Sequence, residues 1–140
     1  MLHMMKIAFG IDNIRHLQES YKILAASNNG FPYTLTRFAP KQMDEILQGG
    51  SLYRVIAGSM CCRQVIREFI PATRENGDPC IRIVLDPEII RVAAVPFRPF
   101  QGWRYLKPQD APSDITQQQA DELSSLPQKM RHDLQLLGLL

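Results

Sequence analysis

The sequence predicts an α+β domain, with a central, mostly antiparallel sheet or small β-barrel and flanking helices near the N-terminus and at the C-terminus. Three observations carry this prediction. Two early segments space their apolar residues three and four apart, the period of a helix face. From residue 51 the pattern changes to the two-residue alternation of strands. Further on, Pro71, Pro79, Pro87, Pro96, Pro99, Pro108 and Pro112 leave at most eight residues between neighbours. Each proline removes an N–H and clashes with the preceding helical turn, so no long helix fits there.

The elements follow in chain order. Residues 4–10 suit a first strand. Asp12 caps a helix that carries Ile14, Leu17, Tyr21 and Leu24 on one face. Ser27-Asn28-Asn29-Gly30 ends it, with Gly30 open to the left-handed conformation of a C-terminal cap. Residues 33–38 alternate and are rich in β-branched and aromatic types, which predicts a strand. Pro40 opens a second helix that turns Met43, Ile46 and Leu47 inward and stops at Gly49-Gly50. Residues 51–57 and 60–70 are strands around Gly58, with Arg63, Val65, Arg67 and Phe69 on one face of the second. A helix over 60–70 is the alternative, because its period is ambiguous. Glu75-Asn76-Gly77-Asp78 is a hairpin signal suited to a type I′ turn. Residues 80–85 return as a strand with Ile81, Ile83 and Leu85 toward the core. In the tail, Thr116 caps a helix over 117–124, and Pro127 starts a last helix striped with Met130, Leu134 and Leu137.

The chain has 140 residues, one domain's length, and its hydrophobic (45%) and charged (21%) fractions exclude a disordered or collagen-like chain. Its apolar runs are too short to span a bilayer, so no membrane partner is expected. Lys6 interrupts the N-terminal apolar stretch and no charged region precedes it, so this segment reads as a strand and not a signal peptide. Three cysteines, two of them adjacent (Cys61, Cys62), offer no disulfide framework. A reduced, cytoplasmic protein is expected. The net charge of +2 conceals a division: residues 1–107 hold 14 Lys and Arg against 9 Asp and Glu, whereas residues 108–140 hold 2 against 5. A basic body beside an acidic segment is a pattern of nucleic-acid-facing proteins, and of many soluble ones.

Catalytic signatures are missing. No phosphate-binding Gly-Lys-Ser/Thr loop, dinucleotide fingerprint, nucleophile elbow or zinc-protease motif occurs. Gly49-Gly50-Ser51 follows a helix instead of opening one, so the helix dipole there would oppose a phosphate. His3, His16 and His132 are scattered and the cysteines lack C-x₂-C spacing, so neither metal nor cofactor is expected. On a regular strand Cys61 and Cys62 would point to opposite faces as small buried hydrophobes.

Residues 91–107 stand apart. They hold four basic residues, no acidic one, and four of the chain's eleven aromatics, including the lone Trp103. Single-stranded nucleic acids are bound by this mixture, cations tracking phosphates and flat rings stacking on bases. Alternation puts Trp103 and Tyr105 on one face and Arg104 and Leu106 on the other. The competing reading packs Phe97, Phe100 and Trp103 over one end of the barrel, with Arg98 and Arg104 paired to acids of the tail. A second basic set lies at Arg54, Arg63 and Arg67: on the strand over 60–70 Arg63 and Arg67 share a face and extend a phosphate-tracking groove, with solvated strand arginines as the equal alternative.

The runs Ala39-Pro40-Lys41, Gly49-Gly50-Ser51-Leu52-Tyr53-Arg54-Val55-Ile56-Ala57-Gly58, Arg63-Gln64-Val65-Ile66, Val84-Leu85-Asp86-Pro87-Glu88 and Arg98-Pro99-Phe100-Gln101-Gly102-Trp103-Arg104-Tyr105-Leu106-Lys107-Pro108 resemble those of an uncharacterised bacterial family. It is a domain-of-unknown-function family of about this length, associated with alphaproteobacteria, and its resemblance covers nearly the whole chain. The sequence departs from its pattern at Arg54 and Ala57, where an aromatic and a lysine are expected. The resemblance implies no activity. A weaker one, carried by a helix ending at Gly49-Gly50 and a strand with Tyr53-Arg54, is to PUA-like and ASCH-like small barrels, many of which bind RNA or modified bases.

Two functions are therefore expected as alternatives. The first is a small RNA- or nucleotide-binding module in which Trp103 and Tyr105 stack bases and Arg98, Arg104, Lys107, Arg63 and Arg67 hold phosphates. The second is an assembly module, a homo-oligomer included, docking through a sheet edge or through Leu134, Leu136, Leu137, Leu139 and Leu140. An enzyme acting on a small anion is the least supported, since no base or nucleophile can be named.

Overall fold

A computed structural model describes residues 1–115. The expected tail helices and the five C-terminal leucines lie outside the described residues. The elements are β1 (His3–Ile7), α1 (Ile14–Ala26), β2 (Tyr33–Thr36), α2 (Met43–Ile46), β3 (Ser51–Ile56), β4 (Ser59–Thr73), β5 (Pro79–Leu85), β6 (Ile90–Pro96) and β7 (Trp103–Leu106), followed by a 3₁₀ turn at Pro108–Asp110. The α+β class holds. The seven strands run in the order β2-β5-β4-β3-β1-β7, with β6 also on β4. All pairs are antiparallel except β1 with β3. No strand pairing among the described residues joins β2 to β7, so the sheet is open and the expected barrel closure is not formed.

The backbone of the fold is β4. Its first half is flanked by β3 and β6, and its second half pairs with β5. That division explains Pro71 inside a strand: beyond Ile66, among the described residues, only β5 is hydrogen-bonded to β4, so the missing N–H costs no ladder bond on the other side. The helix alternative for 60–70 is thereby excluded. The β4–β5 hairpin differs from the expected type I′ turn. The bonds Arg74 N to Asp78 O and Gly77 N to Arg74 O enclose a turn in which Gly77 alone takes a positive φ of 91°. It is a type I turn closed by a glycine bulge, which tolerates Asn76 at ordinary φ.

α1 starts one residue later than expected: Asn13, not Asp12, is the cap, its side chain accepting from the His16 N–H. Leu17 and Tyr21 are buried on the face the spacing predicts. α2 is a single turn whose Leu47 end is exposed, contrary to expectation, because Gly49 turns the chain away at a φ of 106°. Each sheet face carries its own apolar cluster. Met4, Leu52, Ile56, Cys62 and Ile66 meet Leu17, Tyr21, Ile83 and Leu85 on the inner face. Met5, Tyr53, Val55, Met60, Val92, Phe100 and Leu106 form the outer cluster. β3, between them, is buried along its whole length.

Candidate functional site

The basic–aromatic segment divides: its start is β6, paired with β4, and its end is β7, the edge strand of the sheet among the described residues. Gly102, at a φ of 69°, turns the chain into β7, which pairs antiparallel with β1 so that Trp103 lies opposite Lys6 and Tyr105 opposite Met4. The expected alternation is present. Trp103 and Tyr105 share the inner face with ring centroids 4.8 Å apart, edge to face. Arg104 lies over the Phe100 ring at 4.6 Å and Leu106 is buried in the outer cluster. Both polar tips of the aromatic pair are engaged by the segment after β2: Trp103 Nε1 donates to Phe38 O at 2.8 Å, and Gln42 N donates to the Tyr105 hydroxyl at 3.3 Å. Phe38 is 66% exposed with the Arg37 guanidinium 5.1 Å from its ring. Tyr105 remains 38% exposed, while Trp103 is half-buried against the inner cluster.

The other nominated cations are distributed differently. Arg98 and Lys107 are exposed on either side of β7. Arg63 and Arg67 do not form the shared face expected of them. A register shift between Ile66 and Glu68 breaks the alternation, and each guanidinium has its own carboxylate. Arg63 binds both Asp114 oxygens at 2.8 Å and the Ser51 hydroxyl at 2.8 Å. The hydrogen bonds with Arg63 hold the Asp114 carboxyl below its ordinary range. Arg67 binds Asp86 at 2.8 Å and stacks on Phe31 at 4.7 Å. Both lie on β4, with β3 and β1 between them and β7.

Instead, the registers of three strand pairs align a row across the inner face: Trp103 opposite Lys6, Lys6 opposite Arg54, and Arg54 opposite Cys62. Arg54 is only 4% exposed, and among the described residues its Nε and Nη1 have no hydrogen-bond partner. The buried Tyr21 hydroxyl, supplied by α1, likewise has none among them. Burial, reinforced by Arg54 and then Arg74, lowers the Lys6 ammonium to about 8. Burial likewise raises the Tyr21 phenol. In the sequence Lys6 stands out only as a charge inside the first strand and Arg54 only as part of a second basic set; the β1–β3 pairing brings them together. The available signal was a basic residue inside each of two apolar strands.

At the end of this row β4 bulges. Arg54 pairs with Cys62 and Val55 with Met60, which leaves Cys61 unpaired against β3. The bulge overturns the expected opposition of the two cysteines, because an extra residue interrupts the pleat. Cys61 and Cys62 both pack on the inner cluster. The adjacent Cys62 thiol holds Cys61 below the ordinary thiol range, while the Cys61 thiol and burial push Cys62 up.

On the outer face, a cleft of about 390 Å³ is lined by His3, Tyr53, Arg63 and Asp114 among others. His3 Nδ1 accepts from Ser51 N at 2.9 Å, which puts the proton of the neutral ring on Nε2. Burial, then Arg63 and the N-terminus, lowers its pKa and keeps it neutral. The Asp114 carboxylate is held by Arg63 and His3 Nδ1 by Ser51 N, so the two do not form a histidine–carboxylate base.

Among the described residues no three His, Cys, Asp or Glu side chains converge as a metal site, and no helix is long and apolar enough to cross a membrane. The molecule is thus a small α+β domain built on an open seven-stranded sheet, with a basic–aromatic edge. It belongs to the family described as "Protein of unknown function (DUF1489)", whose model matches residues 4–140. Comparison with curated proteins and with solved structures finds no match.

Proposed function

We infer that this domain is a small cytoplasmic module that binds nucleotide units, free or within single-stranded RNA, at the β7 edge. The observation that carries the reading is the Trp103–Tyr105 pair on one face of an edge strand, with exposed Phe38 and Arg37 alongside. Lys6 follows inward. Bases stack on such rings at roughly 1–3 kcal/mol each. Arg98, Arg104 and Lys107 are exposed around the same strand and supply phosphate contacts; Arg63 and Arg67, tied to Asp114 and Asp86, do not. The weak resemblance to PUA-like barrels favours the same ligand class, and three free cysteines suit a reducing compartment.

Fluorescence anisotropy of a labelled single-stranded RNA octamer tests this reading. Tyr105→Ala, which removes a partly exposed ring, should weaken binding about 10- to 100-fold. Arg104→Ala and Lys107→Ala should each lower the slope of log K against log salt by about 0.7. Binding unchanged by all three substitutions, or absent at low salt, refutes the assignment.

A further inference from the structure

A buried cation is stable only when its hydrogen-bonding capacity and charge are met, because taking it from water removes a large solvation free energy. Arg54 meets neither condition among the described residues. It is 4% exposed, and two of its three nitrogens are buried without a hydrogen-bond partner. Its cross-strand neighbours are Lys6, a second cation, and Cys62, a neutral thiol. The Tyr21 hydroxyl, on α1 against the same inner cluster as Cys62, is also buried without a partner among the described residues. The charged groups acting on Lys6 are Arg54 and Arg74, both positive.

We propose that Arg54, Lys6 and Tyr21 form a receptor for a phosphate-type oxyanion beneath α1. All three present hydrogen-bond donors: the Arg54 Nε–H and Nη1–H₂, the Lys6 ammonium and the Tyr21 hydroxyl. Two positive charges match a tetrahedral dianion better than a carboxylate, which neutralises only one. In the strand registers the site lies one strand in from β7: Trp103 is opposite Lys6, which is half-buried, and Lys6 is opposite buried Arg54. The site stands on its own donors; its assignment to the phosphate of a nucleotide whose base lies on Trp103 rests on the reading above.

Thermal unfolding of the full chain in inorganic phosphate, against sodium chloride of equal ionic strength, tests it. Phosphate should raise the Tm of the wild type, and at 100 times its Kd should increase the folded-to-unfolded ratio about 100-fold. Arg54→Met should show the opposite signature: a higher Tm than wild type without phosphate, since an unpaired buried charge is gone, and no response to phosphate. Lys6→Met should weaken the phosphate response at least tenfold in Kd, and it carries the test if Arg54→Met does not fold. A wild type indifferent to phosphate, or an Arg54→Met protein that still responds, overturns the site. A nucleoside monophosphate separates the sources. Tighter binding than phosphate, with quenching of Trp103, upholds the nucleotide assignment. Equal binding without quenching upholds the oxyanion site and removes that assignment. RNA binding that persists unchanged in Arg54→Met, while phosphate has no effect, sinks the site and leaves the edge reading intact.

Discussion

Among the glycines, Gly50 leaves the least room for a side chain. A Cβ built there would lie 2.2 Å from Leu2 O and 2.5 Å from Ile46 O, and both atoms are backbone. Since real Cβ contacts do not fall below 3.0 Å, Leu2 O must retreat by about 0.8 Å. That movement pulls the start of β1 away from β3. Overpacking of this kind costs roughly 1–3 kcal/mol. Displacing Ile46 O also weakens the 2.7 Å bond it accepts from Gly50 N, a further loss of about 1 kcal/mol. Gly50→Ala should therefore destabilise the domain by about 2–4 kcal/mol. In urea unfolding, with a slope of about 1.5 kcal/mol/M, the midpoint should fall by about 1.3–2.7 M. Gly102→Ala is the matched control: its φ is 69° but a Cβ would meet nothing within 4 Å, so only the conformational cost of about 1 kcal/mol applies. Equal midpoints for the two variants would refute the steric argument, and with it the tight packing of the α2–β3 junction against β1.

Three further outcomes follow from particular contacts. Ala57 and Gly58 form the two-residue β3–β4 turn at φ values of 50° and 82°, so Ala57→Asn should stabilise by about 0.5–1 kcal/mol; a lower urea midpoint would contradict that turn type. The Asp114 carboxyl is held low by Arg63, so the stability it supplies is present above the ordinary carboxylate pKa and lost as pH falls through the lower folded value. The stability gap between wild type and Asp114→Asn should accordingly close below about pH 4, and a gap that widens on acidification would reverse the assigned sign. Cys61, the more acidic and accessible partner of the bulge pair, should react with iodoacetamide before Cys62 and Cys80, as peptide mass mapping can establish. First modification at Cys80 would argue against the bulge.

What the sequence reveals and conceals divides by range of contact. α1 is legible because Leu17 and Tyr21 advertise their face within one turn of each other. The alternation of Trp103 to Leu106 is legible for the same reason. The local bulges are not: nothing in the chemistry of Cys61-Cys62 says that an extra residue sits there, because the cause lies in the registers of β3 and β6. The row Trp103–Lys6–Arg54 is concealed more deeply. It needs the parallel pairing of β1 with β3, whose residues are separated by α1, β2 and α2. A long crossover leaves no short-range signature in the strands it joins. Likewise Arg63 and Arg67 look like free phosphate ligands until Asp114 and Asp86 are brought to them.

The central claim, that the β7 edge receives nucleotide units, is tested most directly through the lone tryptophan. Trp103 emission should be followed while single-stranded RNA is titrated at about 50 mM and 200 mM salt. The account predicts saturable quenching at the lower salt and an affinity weakened several-fold or more at the higher one. Emission that stays constant at both salts, while the protein remains folded, would contradict it and leave Trp103 and Tyr105 as packing for the segment after β2.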